Sequence, residues 1–204
     1  MTQTTIFSIG HSNHSIDKFL SLLKNYKIDM VVDVRSAPFS RMFPQFNQEP
    51  LKKSLSDNAI GYLFLGDQIG GRSNDPEDYL DGQVMYKSLA RREAFNSGIS
   101  RLREGAVKYK IAIMCSEKEP LECHRTLLVS EALAASGVVV HHIHANGTVE
   151  THGEALVRLL AVHKLSSPDL FTDDTDRVQE ALTLQEKKVA YQIPKPTEPR
   201  EGFE

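Results

Sequence analysis

Reactive residue types are concentrated in "IMCSEKEPLECHR", Ile113 to Arg125, which holds the chain's only two cysteines, Cys115 and Cys123, the second followed directly by His124 and Arg125. Cationic neighbours and the start of a helix lower a thiol pKa and make the nucleophilic thiolate. Cys115 is therefore a candidate nucleophile, with Glu117 beside it and His124 as a base or ion-pair partner. The competing reading is a small buried hydrophobe, a common fate of free cysteine. Metal binding is a third: Cys115, Cys123 and His124, with His11 from the N-terminal part, offer four soft or borderline ligands. Their spacing matches no common structural zinc pattern, so the set stands as an alternative and no cofactor follows from it. Two cysteines do not make a disulfide framework and point to a reduced, cytoplasmic setting.

These residues need elements to position them. "TIFSIG" reads as a strand, and Ile16, Phe19, Leu20 and Leu23 then fall on one helical stripe, with Ser15 as N-cap and Asp17 in the first turn. "MVVDVRS" is a second strand, apolar enough to be buried on both faces, and "IGYLFLGDQIGGR" gives a third stopped by glycines. Helical spacing returns from Tyr86 to Tyr109, with Phe95, Ile99, Leu102 and Ala106 on one face. "KYKIAIMC" is the fourth strand, "HRTLLVSEALAASG" a helix closed by Gly137, and "VVVHHIHA" the fifth strand. The histidines of "HHIH" are expected to be satisfied or solvated side chains rather than ligands. This alternation predicts a single three-layer α/β domain, residues 1–164, with a largely parallel sheet of about five strands flanked by helices. An appended loop and helix over 165–192 and a disordered tail over 193–204 complete the expectation.

In open α/β sheets ligands bind beyond the carboxyl ends of the strands. The first strand ends in His11 and Ser12, the second in Asp33 and Arg35 with Ser40 and Arg41 beyond. The third runs out into Gly71 and Arg72, and the fourth into Cys115, Glu117 and, at the next helix start, Arg125. One common site is the economical expectation. Arg35, Arg41, Arg72 and Arg125 suit carboxylate or phosphate, since the guanidinium fork matches both, and Ser12, Ser40 and Gly71 supply polar or close-approach positions. His11 and Asp33 join the candidate chemistry. The alternative is that Asp33 and Glu117 pair internally with these arginines.

A net charge of -3 gives no whole-protein attraction to nucleic acid or anionic membrane, so any basic site must be local. "MTQTTIFSIG" lacks signal-peptide character, and no apolar run is long enough to span a membrane. The segments "SIGHSNHSIDKFLSLLK", "VVDVRSAPFSRMFPQFN", "YLFLGDQIGGR" and "IMCSEKEPLECHRTLLVSEAL", in that order, resemble the domain of unknown function 488 family, and the later "KKVAY" fits the same resemblance. It implies a compact α/β protein with a cysteine-containing motif late in the domain, and carries no named reaction. The functional expectation is an enzyme binding a phosphate-bearing small molecule or nucleic acid. A metal- or redox-sensing protein and a non-catalytic adaptor are the alternatives.

Overall fold

The computed structural model describes residues 4–167 and 173–194. Along the chain run β1 (Thr5–Gly10), α1 (Ile16–Asn25), β2 (Met30–Asp33), α2 (Gln48–Ser56), β3 (Gly61–Phe64), a short α3 (Gly66–Ile69), and the small hairpin β4 (Tyr79–Leu80) and β5 (Gln83–Val84). There follow α4 (Tyr86–Leu89), α5 (Glu93–Ala106), β6 (Ile111–Cys115), α6 (Glu131–Ala135), β7 (Val139–Ile143), β8 (Val149–Thr151), α7 (His152–Val162) and α8 (Asp174–Val189). The main sheet has six strands in the order β3-β2-β6-β1-β7-β8. Its first five strands pair in parallel, and β8 adds an antiparallel edge.

Strand side chains alternate between the two faces, and helices cover both, giving the three layers expected. Phe7, Ile9, Val31, Ala112, Met114 and Ile143 pack with Phe19, Leu22 and Leu23 of α1 and Leu51 and Leu55 of α2. Ile6, Val32, Ile113, Cys115 and Val140 face the other way, toward α5, α7 and α8. The α1 stripe is as expected, and the Ser15 side chain accepts the Lys18 N–H.

Several elements differ from the sequence expectation. The Tyr86–Tyr109 helix is two, α4 and α5, with a break at residues 90–92. The helix after Cys123 opens as a wide π turn over Arg125–Ser130 before α6, and Gly137 ends it with φ +82°. α2, α7 and β8 were not expected. Thr151 and Glu154 cap α7 reciprocally, a signature present in "TVETHGEA". α8 is no loose appendage: Ala181 and Leu182, with Ala190 just beyond it, join the main core, and the Gln185 amide donates to the Leu121 carbonyl at 2.9 Å. Gln192 bridges to Gln83, and the Ile193 N–H donates to the Gly82 carbonyl at 2.8 Å, so the expected tail is tied down at its start. Its remainder, residues 195–204, lies outside the described residues. Among the described residues no helix is long and apolar enough to cross a membrane.

Candidate functional site

The parallel strands bring all four predicted strand ends to one edge of the sheet, but strand register divides their side chains between the two faces. Ile9 and Asp33 both pair with Met114, whereas Gly10 pairs with Cys115. Asp33 therefore points to the α1/α2 side and Cys115 to the other, and His11 and Arg35, each two residues past Ile9 and Asp33, follow Asp33. The expected single site is thus two polar clusters.

The first is an internal ion pair. Asp33 is fully buried and receives Arg35 Nε at 2.9 Å and Nη2 at 2.6 Å, the Arg35 backbone N–H at 3.1 Å and the Tyr62 hydroxyl at 2.9 Å. Arg35 Nη2 also donates to the Phe46 carbonyl at 2.8 Å. The His11 ring stacks on Phe46 with centroids 4.4 Å apart, gives its Nδ1 proton to the Ser12 carbonyl at 2.9 Å, and accepts Arg35 Nη1 through Nε2 at 3.2 Å. Both ring nitrogens are committed, so His11 supplies neither a metal ligand nor a substrate contact. Arg35 is likewise held by Asp33, the internal pairing weighed against anion binding. A buried bidentate pair has its charges already matched.

Burial is the main cause that lowers the His11 pKa, to about 4, with the Arg35 charge adding to it. Burial also pushes His142 well below the usual imidazole range. The unfolded chain therefore takes up these protons first, and stability falls as pH drops from 6.5 toward 4. His11 alone is expected to cost about 2 kcal/mol by pH 5 relative to pH 7. Urea denaturation of the wild type and of His11→Phe at the two pH values checks this. Equal pH slopes for the two proteins would remove the assignment.

The second cluster lines a crevice of about 540 Å³, bounded by Cys115, Glu117, Cys123 and His124, by Gly71 and Arg72, and on one wall by Arg35, whose guanidinium is turned to Asp33. Cys115 is 6% and Cys123 3% exposed, and both are free thiols. His124 Nε2 meets the Val34 carbonyl at 2.8 Å; a carbonyl only accepts, so Nε2 carries the proton and Nδ1 presents its lone pair. That lone pair faces Cys115 Sγ at 3.7 Å and Cys123 Sγ at 3.8 Å. Gly71 sits where a Cβ would meet the His124 ring at 2.7 Å, so its role is close approach to the imidazole.

The two buried thiols share one negative charge, and their surroundings favour it on Cys123. Burial opposes its ionisation, but the Cys115 thiol donating to it and the Arg125 charge hold it well below the usual range. Donation to Cys123 raises the Cys115 pKa, and burial adds to this. Desolvation and the Cys123 charge also push the Glu117 carboxyl up.

The remaining candidates lie elsewhere. Arg125 is fully buried and clamps the strand-end loop, donating through Nη1 to the Glu117 carbonyl at 2.6 Å and through Nη2 to the Lys118 carbonyl at 3.3 Å. Its guanidinium is turned to the interior and not to a ligand. Arg41 is exposed and without a partner among the described residues, away from the crevice lining. Ser40 closes a turn, its hydroxyl accepting the Phe43 N–H at 3.1 Å, and Ser12, with φ +49°, donates its N–H to the Ser116 carbonyl. Neither lines the crevice. His142 and His144 are satisfied as expected: His142 joins Ser8 and His152, and His144 pairs with Glu150.

Sequence reasoning missed the opposite wall. Tyr86, Val189 and Tyr191 close the crevice, and Tyr191 lies under the Arg72 guanidinium, 4.2 Å from carbon to ring centroid. A signal was present in "KKVAY", but only the return of α8 brings it to the site. Phe39, in "SAPFSRMF", stands 65% exposed at the crevice mouth. A second cavity of about 840 Å³ adjoins, sharing Ser36, Ala37, Arg72 and Tyr191.

Fold and site together define a three-layer α/β protein with a polar crevice at the carboxyl edge of a parallel sheet and a Cys–Cys–His cluster at its base. The chain belongs to the family described as Domain of unknown function DUF488, whose model matches residues 15–132. No curated protein and no solved structure matches it.

Proposed function

We propose that the chain is an enzyme whose active site is this crevice, taking a phosphate-bearing ligand at the mouth and acting on it with the Cys115, Cys123 and His124 cluster. The observation that carries the reading is the meeting, around one crevice, of that cluster with Arg72, the one predicted anion-binding arginine that both lines the crevice and is exposed. Arg72 is free of any carboxylate among the described residues, and its stacking on Tyr191 leaves the guanidinium edge for an anion. An exposed aromatic beside it, Phe39, suits a nucleobase, since stacking on a ring accepts any base. The crevice volume lies in the small-molecule range of roughly 300–1,000 Å³. A net charge of -3 favours a nucleotide-sized ligand over a long nucleic acid, whose affinity rests on many cationic contacts.

The test is calorimetry with inorganic phosphate and with a nucleoside monophosphate. Arg72→Ala is expected to weaken both by roughly ten- to a hundredfold, the worth of a charged hydrogen bond. Phe39→Ala is expected to weaken the nucleotide alone. If neither probe binds the wild type, the phosphate-bearing ligand is lost as a reading.

A further inference from the structure

We propose that Cys115, Cys123 and His124 form a zinc site with its fourth position open to the crevice. The inference deepens the reading above by naming what the cluster holds, and rests on it for the function of the open position alone.

The geometry carries it. The two sulfurs and the ring nitrogen lie within 4.8 Å of one another, with Nδ1 3.7 and 3.8 Å from Cys115 and Cys123 Sγ. Tetrahedral zinc with Zn–S near 2.3 Å and Zn–N near 2.0–2.1 Å places sulfur and nitrogen about 3.6 Å apart. Both sulfur–nitrogen pairs therefore already stand at ligand spacing. His124 is also in the required tautomer, because the Val34 carbonyl takes the Nε2 proton and leaves the Nδ1 lone pair directed between the sulfurs. A ligating imidazole characteristically gives its other N–H to such an acceptor. Cys123 Sγ further accepts the Arg125 backbone N–H at 3.4 Å, an outer contact that orients the sulfur.

The spacing of Cys115, Cys123 and His124 along the chain fits no closed structural zinc pattern. The structure supplies a different arrangement. One cysteine ends β6, the other precedes the π turn, and the loop between them folds back to bring both sulfurs to His124. His11, the fourth ligand weighed from sequence, is committed to Arg35 and Ser12 and faces the other side of the sheet. That leaves two thiolates and one imidazole, and all three residues line the crevice. Three protein ligands with a free position are the pattern of catalytic rather than structural zinc. Thiolate and imidazole donors favour zinc over the hard cations magnesium and calcium.

The test begins with full-length protein made without a histidine tag and analysed for metal. One zinc per chain is expected. After chelation, added zinc should restore stoichiometric binding and raise the unfolding temperature, as any ligand of the native state does. Cobalt in its place should show thiolate charge-transfer absorption. Cys123→Ser and His124→Ala should lose stoichiometric metal while circular dichroism confirms that they fold. His11→Gln should keep it. A metal-free wild type that takes up no zinc overturns the inference, as does full stoichiometry in Cys123→Ser. If a folded Cys123→Ser cannot be made, the cobalt spectrum of the wild type decides: absorption without a thiolate band overturns the site. The phosphate and nucleotide titrations separate this from the functional reading. Zinc without ligand binding leaves the site and removes the substrate class; ligand binding without zinc does the reverse.

Discussion

Asp33→Ala is expected to cost on the order of 3–5 kcal/mol, a large part of the 5–15 kcal/mol typical of a folded domain. Asp33 is fully buried and is the carboxylate that answers the buried guanidinium of Arg35, in a bidentate pair at 2.6 and 2.9 Å. Removing it strands a positive charge in a low-dielectric interior beside a neutral His11. The Tyr62 hydroxyl loses its acceptor at the same time. Urea denaturation measures the loss, and a double-mutant cycle apportions it. Adding Arg35→Leu to Asp33→Ala should recover a substantial part, because the uncompensated charge then goes. A single mutant within 1 kcal/mol of the wild type would mean that the ion pair does not hold this end of the sheet.

The second large effect is expected at Arg125. Its side chain is fully buried and makes no salt bridge to a carboxylate among the described residues. It holds the carbonyls of Glu117 and Lys118, and so folds the loop after β6 over the end of β1. Arg125→Met fills much of the volume but leaves two carbonyls without their donor, for an expected loss of about 3 kcal/mol. The local consequence is more specific than the stability change. The Ser12 N–H, bonded to the Ser116 carbonyl at 2.9 Å, should exchange faster with solvent, as should the amides around Ser116. Unchanged exchange at Ser12 would show that the loop is held by something other than this clamp.

The two predictions concern residues that sequence reasoning placed at the ligand. What separates them from the site is tertiary. Strand order and register were not readable from the chain, and register decides which face each strand-end side chain occupies. Within β6, alternation alone puts Cys115 with Ile111 and Ile113. Only the pairing of Gly10 with Cys115, and of Asp33 with Met114, shows that Asp33 and His11 look away from the thiols. Arg35 and Arg125 illustrate the same limit. A buried arginine and a substrate-binding arginine have one sequence signature, and burial distinguishes them. Arg72 could be told from them only by its exposure and by Tyr191, which α8 returns from more than a hundred residues away.

The sequence by itself determined the α/β class, the strands that carry the chemistry, the shared carboxyl edge and the family, because these rest on local periodicity and on motifs contiguous in the chain. Tertiary structure decided that the edge holds two clusters rather than one. It sealed Asp33, Arg35 and His11 into the interior as a neutralised pair and its stacked imidazole, and drew Cys115, Cys123 and His124 to ligand distance around an open crevice. Such contacts depend on register and on the path of a loop, which no spacing along the chain encodes.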